Sequence, residues 1–350
     1  MRALVTGGIG FIGTNLSHRL LSDGNEVILF DNLSRAGVQH NLDWLKATHG
    51  KELQFVQGDI RDFDAVLTAI QNVDAVFHLA AQVAVTTSVS NPREDFSINA
   101  QGTLNVLEAA RRQEPMPVVL YTSTNKVYGG LEHLGVVECS SRYEFENLPE
   151  GVSEACPLDF HSPYGCSKGA ADQYVRDYHR IYGLPSIVFR MSCIYGPHQF
   201  GNEDQGWVAH FCITGIRGGQ LTIYGDGKQV RDLLYVDELV ELMLRAYKNI
   251  DRIAGEVFNV GGGCTNTITI WTEFRDVLRP LVGELPAMNF AEFRPGDQKI
   301  YVSDIRKAET LLGWAPSVKI AEGVAARCAI PSARLVVSRL TSSLSLYPNS

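Results

Sequence analysis

Tyr164 and Lys168 stand four residues apart in the run Ser162-Pro163-Tyr164-Gly165-Cys166-Ser167-Lys168. A phenol is a poor base near neutral pH, because its unperturbed pKa is about 10. An ammonium one helical turn away favours the phenolate, and residues four apart on a helix share a face. Pro163 suits a first helical position and Ser162 an N-cap, so the spacing predicts a helix that starts there. Taken alone, the same pair is what any surface helix carries. The chemistry upstream separates the two readings.

Thr6-Gly7-Gly8-Ile9-Gly10-Phe11-Ile12-Gly13 lies between a strand-like opening and an amphipathic stretch. Gly7, Gly10 and Gly13 permit a tight turn, close approach of backbone to a diphosphate, and close helix–strand packing. Phe11 and Ile12 lie between these glycines, and the helix that follows offers free N–H groups and a dipole that favour phosphate. Asp31 ends the second apolar run, where a carboxylate accepts both hydroxyls of an adenosine ribose; Asn32, Ser34 and Arg35 follow it. A 2′-phosphate would meet a negative charge there, which favours NAD over NADP, although Arg35 tempers that preference. Asp59 and Ile60 after the third run, and Leu79, Ala80 and Ala81 after the fourth, fall where adenine and cofactor phosphates would lie. Ordinary strand ends remain the alternative for those five.

Such residues need a scaffold that brings loop ends together. Short apolar runs at 3–6, 26–31, 54–56, 75–79, 118–123 and 186–192 alternate with helical patterns at 13–21, 62–70 and 99–112. Near-continuous β-branched runs separated by helices predict an α/β fold, a Rossmann-type doubly wound parallel sheet covered on both faces. Its ligands bind at the carboxyl ends of the strands, where the strand order reverses. Residues 129–160, rich in glutamate and without clear period, interrupt the alternation as either a functional loop or a solvated excursion. Beyond residue 192 the pattern is mixed, with helices expected near 208–217, 238–249 and 269–278 and strands at 221–224 and 257–260. We expect residues 1–190 plus about 232–262 to form the dinucleotide domain, and 191–231 plus about 263–330 a smaller mixed α/β substrate domain. The Ser-rich stretch 331–350 reads as a disordered tail without a closing helix.

Thirty-one basic against thirty-nine acidic residues, net −8, argue against a nucleic-acid or membrane partner. Seven scattered cysteines with no CxxC spacing argue against a disulfide framework or a metal centre and for a reducing, cytoplasmic setting. No apolar run is long enough for a span, and the chain opens directly on a strand.

With Gly7-x-x-Gly10-x-x-Gly13, Asp31, Tyr121-Thr122-Ser123-Thr124 and Tyr164-x-x-x-Lys168, the chain resembles the extended short-chain dehydrogenase/reductases over about residues 1–325. These are nucleotide-sugar epimerases, dehydratases and reductases that use NAD. The resemblance implies Thr124 as the hydroxyl on the reacting sugar oxygen, Tyr164 as acid/base, and Lys168 as the group that lowers the phenol pKa and holds the nicotinamide ribose. It implies Asn99 beside the cofactor in support of the lysine, with Thr122 and Met191 also at the cofactor. Arg231 and Arg294 match positions that clamp a nucleotide diphosphate, to which the bidentate guanidinium is suited.

Dehydratases of this class carry Thr-Asp-Glu where this chain has Thr124-Asn125-Lys126. Eliminating water needs an added acid and base, which neither Asn125 nor a charged Lys126 supplies. The strings Ser123-Thr124-Asn125-Lys126-Val127-Tyr128-Gly129 and Asp204-Gln205-Gly206-Trp207, with the surroundings of Tyr164, are similar to the CDP-paratose 2-epimerases. That likeness implies a CDP-linked deoxyhexose partner, transient oxidation to a 2-keto sugar, and return of hydride to its other face. It implies substrate contacts from Asn125, His161, Gln205, Gly206 and Trp207, and a homodimer or homotetramer joined through helices near 99–112 and 164–182. UDP-hexose 4-epimerisation, a net dehydrogenase or reductase, and a non-catalytic NAD sensor are the competing readings.

Overall fold

The computed structural model describes residues 1–50, 53–294 and 297–329. Strands β1 (Arg2–Thr6), β2 (Glu26–Asp31), β3 (Gln54–Gln57), β4 (Ala75–His78) and β5 (Val118–Thr124) are followed by a hairpin of β6 (Val136–Glu138) and β7 (Tyr143–Phe145). Then come β8 (Ser186–Met191), β9 (Cys193–Tyr195), β10 (Gln220–Tyr224), β11 (Val230–Tyr235), β12 (Val257–Val260), β13 (Thr267–Thr269), β14 (Ala287–Ala291) and β15 (Ile300–Tyr301). One seven-stranded sheet, all parallel, runs β12-β8-β5-β4-β1-β2-β3. The alternation of apolar strands and helices therefore gives the doubly wound sheet expected. Its order reverses between β1 and β4, so the glycine turn after β1 opens at the crevice where such sheets take ligands.

Two apolar layers sandwich this sheet. Val5, Leu29, Phe77 and Leu120 point to one, and Leu4, Phe30, Val76 and Tyr121 to the other, all essentially inaccessible. This period-2 division of runs that are apolar throughout explains their lack of alternation: each face buries every second residue.

The smaller part is built around β13-β11-β15 with β9 also on β11, plus the parallel pair β10-β14. The chain crosses back to β12 through the helix Val236–Lys248. The helix expected over 269–278 starts later, at Phe274–Val282, because Thr267–Thr269 pairs with β11, Thr269 opposite Val230. Residues 129–160 are not a solvated excursion: Leu131 and Val152 share a buried cluster with Val127, Tyr128 and Tyr301, and the Tyr143 hydroxyl donates to Asp226 at 2.6 Å. This segment packs the two parts of the molecule together.

A last helix lies before the stretch read as a tail. Ile320–Ala329 is helical and buries Ile320, Val324 and Cys328, spaced four apart, among Tyr195, Phe211 and Leu233. Gly323 obscures the pattern in sequence, yet a Cβ there would lie 2.1 Å from the Tyr195 hydroxyl, so close contact excludes a better helix former. The tail expectation for 331–350 lies outside the described residues. Among those described, no helix is long and apolar enough to cross a membrane, and all seven cysteines are free thiols.

Candidate active site

The helix Ser162–Tyr182 carries Tyr164 and Lys168 on the face turned to the sheet, where Tyr164 is 9% and Lys168 3% exposed. The Ser162 hydroxyl accepts the Gly165 N–H at 3.2 Å, the capping bond expected of it, although Ser162 itself holds φ of +63°. Thr124 ends β5 opposite; its hydroxyl donates to Asn125 Oδ1 at 3.4 Å and lies near enough to the Tyr164 phenol to lower it. The three members thus meet where strand and helix converge.

Their electrostatics differ from the simple ammonium–phenol picture. Lys168 reaches past the phenol, donating to the Thr122 carbonyl at 2.6 Å with its ammonium 4.3 Å from the Tyr121 ring centroid. Burial pushes the Tyr164 phenol up to about 12, with Asp95 adding to the rise and the Thr124 hydroxyl opposing it. Burial pulls Lys168 down to about 7 against Asp172 and Asp95. The protein's own groups therefore do not lower the phenol through Lys168; a shared face is not a shared contact when the longer side chain finds a carbonyl. Because Lys168 sheds its proton earlier in the folded state, the site costs most stability below about pH 7 and the cost fades as pH climbs towards the ordinary lysine value of 10.5. Urea midpoints of nucleotide-stripped protein should rise over that window more steeply than those of Lys168→Met; parallel curves would contradict the assignment.

Asn99 lies in a π-helical turn, Ser97–Gln101, a distortion frequent at functional positions. Its amide donates to Gln82 O, Asp95 and Ser167 and its carbonyl accepts Gln82 N–H. It therefore supports neither the lysine directly nor the cleft wall; it fixes the loop after β4 to the catalytic helix.

The cleft over the β1/β4 switch point gathers Gly7, Gly10, Phe11, Ile12, Gly13, Asp31, Asn32, Ser34, Arg35, Asp59, Ile60, Leu79, Ala80 and Ala81. Bare backbone is required there: a Cβ on Gly13 would fall 2.1 Å from Gly7 O, and one on Gly7 2.8 Å from Ala80 N. The helix Phe11–Ser22 begins at this turn with no side-chain cap on its first N–H groups. Burial raises the Asp31 carboxyl while the N–H groups of Leu33, Ile9 and Asn32 oppose that rise. A bare diphosphate-width turn, free helical N–H groups and a carboxylate at the next strand end fit a dinucleotide with a free adenosine ribose.

An adjoining pocket is lined by Thr122, Thr124, Asn125, Tyr164, Lys168, Met191, Gln205, Gly206 and Trp207. It also takes in Ser192, Cys193 and Gln199, which sequence reasoning missed; the rule that strand ends carry the site would have extended the reading past Met191. No acidic side chain or histidine lines it among the described residues. Three expected substrate contacts stand apart. His161 turns to Asp159, 3.1 Å away, on the 129–160 side. Arg231 is spent on Asp297 at 3.1 Å and the carbonyls of Val230 and Gln298. Arg294 lies 3.8 Å over the Tyr224 ring and 3.5 Å from Asp204. Lys126, unassigned from sequence, stands 3.6 Å from Asp297. Burial pushes Asp297 up, but Arg231, Lys126 and Arg294 together outweigh it.

A parallel sheet with a glycine turn at its switch point, and a Thr-Tyr-Lys group at the next strand ends, define an extended short-chain dehydrogenase/reductase. Residues 4–326 match the family model described as GDP-mannose 4,6 dehydratase, and the chain belongs to that family of nucleotide-sugar epimerases and dehydratases. It is 45% identical to the CDP-paratose 2-epimerase of Salmonella typhi, over 93% of this chain and 97% of that protein. It is 35% identical to the UDP-glucose 4-epimerase of Mycolicibacterium smegmatis, over 93% and 96% of the respective chains. The UDP-glucuronic acid 4-epimerase of Bacillus cereus, solved with UDP-glucuronic acid and NAD, superimposes with a TM-score of 0.81 at 29% identity, covering 96% of this chain and all of that one.

Proposed function

We propose that this protein is an NAD-dependent isomerase that epimerises a nucleotide sugar, converting CDP-paratose to CDP-tyvelose at C2. The observation that carries epimerisation is the sugar pocket itself: Tyr164, Lys168 and Cys193 are its titratable groups among the described residues. A dehydratase needs a further acid and base there, and Asn125 cannot titrate. The CDP-linked deoxyhexose and the C2 position rest on the 45% identity to a CDP-paratose 2-epimerase, which spans nearly all of both chains.

Tyr164, as phenolate, takes the proton of the C2 hydroxyl and later gives it back. Thr124, beside that phenol, orients the same sugar oxygen. Bound NAD supplies a hydride acceptor that returns what it takes, so stereochemistry changes without net oxidation. Gly7, Gly10, Gly13 and Asp31 would hold its diphosphate and adenosine ribose, and Lys168, Thr122 and Met191 its nicotinamide end. Val83, Met191, Trp207 and Val208 give the pocket apolar walls suited to a deoxygenated sugar edge. Arg231, Lys126 and Arg294, clustered about Asp297 outside the pocket lining, would have to release that carboxylate to meet a diphosphate. Self-association through the helix Ser162–Tyr182 belongs to the same proposal, since Tyr174, Ile181 and Tyr182 are exposed along it.

Incubation with CDP-paratose and catalytic NAD, followed by NMR of the C2 configuration, tests the assignment. CDP-tyvelose is the expected product. Interconversion of UDP-glucose at C4, with CDP-paratose untouched, would overturn the substrate, and stoichiometric accumulation of NADH would overturn epimerisation.

A further inference from the structure

Three consecutive carbonyls beyond β9 are each held by a side chain from a different helix. Asn15 Nδ2 donates to Pro197 O at 3.0 Å, Asn41 Nδ2 to His198 O at 3.2 Å, and Arg327 Nη2 to Gln199 O at 2.8 Å. The other N–H of Asn41 goes to Ile9 O in the glycine turn at 3.0 Å, and that of Asn15 to Phe11 O at 2.8 Å, in the first turn of its own helix, which begins at the glycine turn. An amide nitrogen has two donors; here Asn41 joins the turn beneath the dinucleotide to residue 198, and Asn15 joins the start of the helix that follows the turn to residue 197. Asn15 is 8% and Asn41 2% exposed, so a lost amide would leave buried carbonyls unpaired.

The segment then runs on as a strap across both cavities. The Phe200 ring sits against Gly37, where a Cβ would come within 2.7 Å of it, at the end of the loop that begins with Asp31. Asn202, Asp204 and Gln205 line the dinucleotide cleft, while Gln199, Gln205 and Gly206 line the sugar pocket. One short stretch of chain is thus a wall of both, pinned to the turn at one end and to the adenosine loop in its middle. The Gln199 side chain adds a buried Oε1 with no partner of its own, on the pocket side.

We propose that Asn15 and Asn41 are positioning residues that couple retention of the dinucleotide to occupancy of the sugar-nucleotide pocket through the 197–206 strap. A nucleotide seated against Gln199 and Gln205 steadies the strap, and the strap then holds the dinucleotide in place. The proposal rests on the epimerase reading, in which one dinucleotide serves both the oxidation and the reduction; premature loss between them would strand a keto sugar. Coupling of two ligands is reciprocal, so the dinucleotide must also tighten nucleotide binding by the same factor.

The test is NAD release, followed by rapid dilution into a trap, from holoenzyme alone, with CDP and with UDP. In the wild type, CDP should slow release about tenfold, within the usual range of coupling between sites. Asn41→Leu, of similar shape but without donors, and Phe200→Ala should each reduce that effect to under about twofold. Circular dichroism and melting temperature identify any variant that fails to fold, and the other then decides. A full CDP effect in folded Asn41→Leu and Phe200→Ala, or no effect of either nucleotide in the wild type, overturns the coupling. A slowing by UDP and not by CDP supports the coupling while overturning the cytidine assignment.

Discussion

Tyr164→Phe should lower turnover by about 10²–10⁴-fold, the range for loss of a positioned acid/base, while NAD binding stays within twofold of wild type. The phenol is buried with the Thr124 hydroxyl as its neighbour, so removing its oxygen deletes no structural partner beyond the site. The ring remains to fill its place. The pH dependence gives a second signature. Burial holds the phenol up at about 12, so the phenolate fraction rises about tenfold per pH unit through the neutral and alkaline range, and the oxidation step should rise with it. That ascending limb should vanish in Tyr164→Phe and persist in Thr124→Val with a shifted position, since the Thr124 hydroxyl is what lowers the phenol. Stopped-flow measurement of enzyme-bound NADH after mixing with nucleotide sugar isolates this step from the return. Retention of the limb in Tyr164→Phe would assign the base elsewhere, and Lys168 and Cys193 are the other titratable groups on the pocket wall.

What could be read in the sequence follows from how far each signal depends on distant chain. The glycine turn, Asp31 and the strand ends at Asp59 and Leu79 are local features, and they fall together in one cleft because a doubly wound sheet gathers every β–α loop at the same edge. Thr124, Tyr164 and Lys168 meet for the same reason. The direction of the Lys168 side chain could not be read: the i,i+4 rule fixes the face, and the Thr122 carbonyl, forty-odd positions upstream, decides the contact. Arg231 and Arg294 show the opposite weakness. Their motif positions are matched, yet their geometry depends on Asp297, Asp204 and Tyr224, which nothing in local spacing joins to them. The helix Ile320–Ala329 was given no place in the pattern because Gly323 interrupts it, at a point where the Tyr195 ring leaves no room for a Cβ. Likewise the two asparagines that bind the glycine turn to the strap are unremarkable in sequence, because an Asn on a helix signals nothing until its amide is seen between two carbonyls.

Asp172→Ala should destabilise the fold by about 3–5 kcal/mol, the cost of leaving one member of a buried ion pair alone. Arg190, one residue from the carboxyl end of β8 and 2% exposed, donates Nε and Nη2 to the two oxygens of Asp172, each at 2.9 Å, and Asp172 is wholly buried. Its Nη1 donates to the Tyr128 hydroxyl at 3.0 Å, which donates to Asn259 at 2.8 Å, which in turn holds Val152 O at 2.8 Å. One chain of bonds therefore fastens the catalytic helix to the sheet and to the 129–160 segment. Against a total stability of about 5–15 kcal/mol, loss of the carboxylate should move the urea midpoint far enough to populate unfolded protein at rest. The pair is not, however, a large net source of stability, since both charges are desolvated. Replacing both, as Asp172→Leu with Arg190→Met, should therefore recover most of the loss; a double variant as unstable as Asp172→Ala would mean that Tyr128 and Asn259, rather than the stranded guanidinium, set the cost. The recovered fold should still show weakened catalysis, because Asp172 also holds the Lys168 ammonium in its charged form against burial. Without it the lysine loses its proton at lower pH, so activity of the double variant should fall off on the alkaline side sooner than in wild type, a change in pH profile that lost packing alone would not produce.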